Sequence, residues 1–196
     1  IAIYDEIGMW GVTAADFVDE LSGIKASNIT LRINSPGGDV FDGLAMYSRL
    51  QAHTATINTI VDGLAASAAS FIAMAGDTVT MSPGSMMMIH EASGVCMGAS
   101  CDMREMADLL DKVSANIADI YARRSGREAT EHRTAMKAES WYTDQEAVDA
   151  GLADSVVGVE ATNKLPDVVN DVPDNEPGFV WDAEAFRSAM KGAVSA

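Results

Sequence analysis

Hydrophobic residues along the chain fall into short β-branched runs that alternate with stretches of helical spacing. Ile1 to Ile7 reads as a strand, and Thr13 then stands as an N-cap before a helix from Ala14 to Leu21 that Gly23 ends. Ile29 to Ile33 predicts a second strand, stopped by Asn34-Ser35-Pro36-Gly37-Gly38. Beyond it Val40, Leu44, Tyr47 and Leu50 recur at helical intervals. Ala55 to Val61 predicts a third strand, followed by a Gly-Leu-Ala-Ala-Ser turn and a helix through Ala75. Thr78 to Met81 and Met86 to Ile89 are two more strands, either side of Ser82-Pro83-Gly84. Strands alternating with helices predict an α/β fold with a parallel sheet and right-handed crossovers.

Ser100 to Arg124 is the longest helical stretch, with an apolar stripe of Met103, Met106, Leu110, Val113, Ile117, Ile120 and Tyr121. It is longer than a domain of this size needs, so it is expected to project and pack against another subunit. The plainer reading is a long surface helix. Arg127 to Ala138 reads as a further helix, and Thr143-Asp144-Gln145-Glu146 as a capping box opening a short helix that Gly151 closes. Val156 to Val159 is expected to be the last strand. Asn163 to Gly178 is rich in Pro, Asp and Asn, and Val180 to Ala193 reads as one small terminal helix. The expected organisation is one domain over 1–159 and an acidic linker or arm over 160–196.

Composition narrows the function classes. Of 196 residues, 48% are hydrophobic, enough for a folded core, and the formal net charge of −16 opposes nucleic-acid phosphates and anionic lipid. No apolar run is long enough to span a bilayer, and the opening residues do not read as a secretory signal, so a cytoplasmic location is expected. Cys96 and Cys101 lie in a Gly/Ser-rich stretch with too few neighbouring ligands for zinc, and are expected to be reduced thiols. Neither metal nor organic cofactor is expected.

The candidate chemistry sits at three turns. Ser67 falls where a strand gives way to a helix, a position that lifts a hydroxyl clear of the sheet and aims the following amides, Ala68 first, at a reacting carbonyl. The dipole of that helix is expected to add favourable charge. Gly37 and Gly38 form a turn where the backbone can approach a substrate, with the Gly38 amide as a second oxyanion donor. Of three histidines, His53 reads as solvated and His132, in a charged run, as a surface residue. His90, ending an apolar strand, is the natural base. Singly, each feature has a plainer explanation: a helix cap, a Pro-Gly turn, a structural histidine. In this order they read as the nucleophile, oxyanion donor and base of a serine hydrolase. An acidic third member is expected, and the residues alone do not choose among the many carboxylates.

The segments INSPGGDVFDGLAMY, VDGLAASAASFIAMAGD, MMMIHEASG and ESWYTDQEAVDAGLAD resemble the ClpP-type serine peptidases, and most of all their phage head-maturation (prohead) branch. The resemblance covers roughly residues 1 to 158. It implies a spiral of βαβ units with a protruding handle helix, matching Ser100 to Arg124. It also implies Ser67 as nucleophile, His90 as base, and the amides of Gly38 and Ala68 as oxyanion donors. The acidic position falls on Glu139, where ClpP itself typically has Asp, and Asp144 is the fallback. The resemblance further implies homo-oligomers, heptameric rings often stacked in pairs, with a possible ATPase partner. Expected substrates are phage capsid and scaffold proteins, cleaved in the host cytoplasm or inside the prohead. A general ClpP-type peptidase fed by an unfoldase is the rival. A crotonase-type acyl-CoA enzyme, which shares the spiral fold, and a non-catalytic assembly scaffold are alternatives from other classes.

Overall fold

A computed structural model of the chain describes residues 1–158. The expected arm, its terminal helix and the end of the last expected strand lie outside the described residues. Seven strands and six helices follow in the order β1 (Ala2–Ile3), α1 (Ala14–Gly23), β2 (Asn28–Ser35), α2 (Val40–Gln51), β3 (Thr56–Ala66), α3 (Ala68–Ala73), β4 (Thr78–Met81), β5 (Met86–Ile89), α4 (Ser100–Ser125), α5 (Ala129–Lys137), β6 (Ser140–Thr143), α6 (Asp144–Asp149) and β7 (Ser155–Val156). The α/β class is as expected. β1, β2, β3, β4 and β7 pair in that order, all in parallel, and β5 pairs parallel with the far end of β3.

β3 organises the sheet. Its first half, Asn58 to Val61, pairs with β4, and its second half, Leu64 to Ala66, pairs with β5. A register irregularity opposite Ile33 and Ser35 lets the strand bend between partners. The expected turn beginning at Gly63 is therefore strand as far as Ala66, and chain reversal waits until Ser67. At the N-terminus the expected strand shrinks to Ala2–Ile3, because Ile7 makes only isolated bridges to Val12 and Gly38. β6 was not anticipated. It runs antiparallel to β5, with Ile89 opposite Ser140 and Met86 opposite Thr143.

Helix boundaries follow their caps. Thr13 Oγ1 accepts the Asp16 N–H at 3.2 Å, and the Asp39 carboxylate accepts the N–H groups of Phe41 and Asp42 at 2.8 and 2.9 Å. Thr143 and Glu146 form the reciprocal capping box expected of α6. The core gathers Ile3, Phe17, Leu31, Val61, Phe71 and Ile72 with many others between sheet and helices.

α4 has two characters. Val113, Ile117, Ile120 and Tyr121 are buried, while Met103 and Leu109 of its first half are exposed. Against expectation His132 is buried. It shares the inner face of α5 with Met136, one turn on, and its Nε2 lies 2.6 Å from Ser125 Oγ. The charged residues around it occupy the other faces of that helix, which is why the run reads as surface. Burial, followed by the charge of Arg127, lowers its pKa. No helix among the described residues is long and apolar enough to cross a membrane.

Candidate active site

The end of β3, the start of α2 and the end of β5 converge on one cavity of about 270 Å³. Gly38, Ser67, Ala68 and His90 all line it. Ser67 Oγ and His90 Nε2 are 2.7 Å apart, a hydrogen-bonding pair. Sheet pairing sets this distance. The Ser67 N–H donates to Met88 O at 3.0 Å, so the serine turn is tied to β5 two residues before His90.

Ser67 has φ 53° and ψ −123°, a conformation costly for any residue with a Cβ. It is held by the Met88 bond on one side and by Ser70 N–H donating to Ser67 O on the other. α3 is only six residues long, so its dipole is smaller than expected and the local amides matter more.

Those amides can be oriented from their own peptide planes. In a trans peptide the C=O and the following N–H point in opposite directions. Gly37 O accepts the Ile7 N–H at 2.7 Å, so the Gly38 N–H points away from Ile7. Ser67 O is turned into α3, so the Ala68 N–H points away from that helix. Both N–H groups belong to residues that line the cavity. The glycines at the facing turn are sterically required. A Cβ on Gly38 would fall 2.0 Å from Ile7 O, and one on Gly37 would fall 2.5 Å from Ala66 O and 2.7 Å from Ala68 N. Gly37 itself is packing against the serine turn and does not line the cavity.

Backbone register sets where Glu139, the expected acidic residue, lies. β5 and β6 pair Ile89 with Ser140, and one step further along this antiparallel ladder sets Glu139 opposite His90. Glu139 is exposed, has φ 49°, and makes no side-chain hydrogen bond to His90 in the structure. Asp144, the fallback, lies beyond the other end of the ladder, where it accepts N–H bonds from Gly84 at 2.8 Å and Gln145 at 2.7 Å. Glu91, next to His90, pairs with Arg133, which also holds Asp111. His53, at the end of α2, accepts the Ala55 N–H on Nδ1.

A Clp protease family model matches residues 12–160. The chain belongs to the Clp protease family. It is also 33% identical, over 129 residues, to a protein named ATP-dependent Clp protease proteolytic subunit 1 from Protochlamydia amoebophila (strain UWE25). That match covers 64% of this chain and 63% of the relative, so the chain spans somewhat under two thirds of the relative's length.

Two parts of this Clp-family site were not read from the sequence. β6 carries Trp141 and Tyr142 between Ser140 and Thr143, a short β-favouring run that an aromatic-alternation test would have found. The second is Tyr121, read only as a stripe residue. A phenol on a buried stripe needs a polar partner, and Tyr121 finds Ser70.

Proposed function

We propose that this chain is a serine endopeptidase that works through an acyl-enzyme. Ser67 is the nucleophile, His90 the general base and Glu139 the orienting carboxylate. The observation that carries this reading is the 2.7 Å pair of Ser67 Oγ and His90 Nε2 in a cavity that Gly38 and Ala68 also line. His90 Nε2 takes the hydroxyl proton as Oγ bonds to the peptide carbonyl carbon. The electron pair displaced onto the carbonyl oxygen is met by the N–H groups of Gly38 and Ala68. Protonated His90 then gives its proton to the leaving amine as the C–N bond breaks. Water, deprotonated by the same histidine, releases the acid and restores Ser67. Glu139 stabilises the imidazolium from across the β5–β6 ladder, by a side-chain rotation that its exposure allows.

The cavity wall supports an apolar side chain beside the scissile bond, since Phe71, Leu109, Leu110, Val113 and Ile117 line it. The exposed Met103 and Leu109 on the outer half of α4, with Val95 and Met97 exposed just before it, support assembly into homo-oligomeric rings. Seven subunits per ring, with rings stacked in pairs, is the form proposed. For substrates, the likeness of the four motif segments to the prohead branch supports phage capsid and scaffold proteins. The name of the Protochlamydia relative, an ATP-dependent subunit, favours the second reading, a general peptidase fed by an ATPase.

The test is proteolysis by the full chain, with Ser67→Ala as control. An unfolded protein and a capsid-scaffold pair are each supplied with and without an unfoldase and ATP, and fragments are mapped by mass spectrometry. The head-maturation reading expects discrete cuts in scaffold or capsid protein without ATP. Degradation only with the unfoldase supports the general peptidase. No Ser67-dependent cut in any arm overturns the peptidase reading.

A further inference from the structure

The nucleophile's own carbonyl is held by a buried relay that the peptidase mechanism does not use. Ser67 O accepts the Ser70 N–H at 3.0 Å and the Ser70 hydroxyl at 2.5 Å. Ser70 Oγ in turn lies 2.7 Å from the Tyr121 hydroxyl oxygen. With the Ser70 proton committed to Ser67 O, the phenol is the donor in the second bond. The direction is therefore Tyr121 O–H to Ser70 O–H to Ser67 C=O. Both side chains are shut away from water, Ser70 at 0% and Tyr121 at 1% exposure. Burial also raises the Tyr121 pKa far above its ordinary value, so the phenol keeps its proton at any working pH. The Tyr121 ring stacks obliquely on His132, with centroids 5.8 Å apart, which fixes it from behind.

The relay ends on one rigid peptide plane. Ser67 C=O and Ala68 N–H are opposite ends of the same amide, so whatever fixes the carbonyl fixes the N–H. Donors on the carbonyl polarise that amide, and successive hydrogen bonds strengthen one another. They also hold the plane's rotation at a residue whose backbone, at φ 53°, would otherwise relax.

We propose that Tyr121 and Ser70 are positioning residues that orient the Ala68 amide and strengthen it as the oxyanion donor. This rests on the reading of Ser67 as nucleophile. The relay links the buried half of α4 to the serine turn through two hydroxyl groups.

The experiment compares wild type, Tyr121→Phe, Ser70→Ala and the double variant on a short fluorogenic peptide amide with an apolar residue before the cut. Affinity for the matching peptide boronate, whose tetrahedral adduct places an oxygen in the oxyanion position, is measured alongside. Losing an oxyanion donor outright costs about 100- to 1,000-fold in kcat, so weakening one is expected to cost about ten-fold in Ser70→Ala and roughly three- to ten-fold in Tyr121→Phe. KM is expected to stay within about two-fold, boronate affinity to fall in step with kcat, and the double variant to be no worse than Ser70→Ala.

An unchanged kcat overturns the proposal. So does a loss in which boronate affinity follows KM and melting temperature instead of kcat, which would mark a merely structural role. Additive losses in the double variant overturn it too, because a relay acts as one unit. Should Ser70→Ala fail to fold, Tyr121→Phe, which deletes a single oxygen, carries the test. Wild type that takes no fluorophosphonate on Ser67 removes the underlying site reading and this proposal with it. Wild type that labels normally beside unaffected variants removes this proposal alone.

Discussion

Ser67 and Glu139 are the two non-glycine residues with positive φ among the described residues, at 53° and 49°. They sit on either side of His90, and the fold treats them in opposite ways. Ser67 is braced by Met88 O, by both donors of Ser70 and by Gly37 packed against its turn. Its hydroxyl is already within hydrogen-bonding distance of the imidazole. Glu139 has its register opposite His90 and a backbone bond from its N–H to Met136 O at 3.1 Å. Its carboxylate stands in solvent. Under the proposed mechanism the difference separates two tasks. Backbone strain that aims a nucleophile and an oxyanion amide needs a packed surround, because several atoms have to be held at once. In the proposed mechanism the carboxylate only orients and stabilises the imidazolium, a task that holds one side chain and not a whole turn.

Substitutions on the braced side are expected to cost most. Ser67→Ala should lower peptide hydrolysis by about 10,000-fold or more while leaving the melting temperature nearly unchanged, as read by fluorogenic assay and thermal melt. Gly37→Ala comes next. Its new Cβ would press on Ala66 O, Ala68 N and Ser67 Cβ at a residue with φ 90°, so activity should fall by about 100-fold or more with a stability loss of about 2 kcal/mol in denaturant titration. Retained activity in Gly37→Ala would mean that the serine turn is not held as tightly as its contacts indicate.

On the open side, Glu139→Ala and Glu139→Gln should each lower kcat by about 100-fold without shifting KM. Glu139→Gly should lose the same activity yet be more stable than Glu139→Ala by about 1 kcal/mol, because glycine tolerates the positive φ. Equal activity in Glu139→Gln and wild type would remove Glu139 from the triad and leave His90 without an acidic partner.

The smallest expected effect lies behind the braced side. His132 has a folded-state pKa below its ordinary 6.5, so the folded state prefers the neutral ring. Its contribution to stability is complete above about pH 6.5 and is lost as pH falls through the lower, folded value. Wild type should therefore lose a few degrees of melting temperature between pH 7.5 and pH 5.5, and His132→Gln should lose less. An equal loss in both would assign the acid sensitivity to other groups.

How much of this was legible in the sequence follows the same division. Elements set by local signals could be read directly. The Thr13 cap, the Pro36-Gly37-Gly38 turn, the Thr143 capping box and the long stripe of α4 all appear near their expected places. So were the small residues around Ser67, whose tight packing leaves a recognisable pattern. Features set by sheet pairing were not. The run from Gly63 to Ala66 looks like a turn, but β5 supplies partners that keep it extended. β6 owes its existence to β5 in the same way, and with it the register that places Glu139. His132 reads as polar surface because burial on α4 depends on a neighbour, Ser125, that lies outside its own helix. Tyr121 is similar: the stripe predicts that it is buried, and only the tertiary structure reveals Ser70 beneath it.

The most direct measurement for the central claim is the rate of fluorophosphonate modification of the full chain, mapped by peptide mass spectrometry, in wild type and His90→Ala. A preformed Ser67–His90 pair predicts one adduct, on Ser67, formed at least about 100-fold more slowly in the histidine variant. An adduct on another residue, no adduct at all, or equal rates in the two proteins would contradict the account.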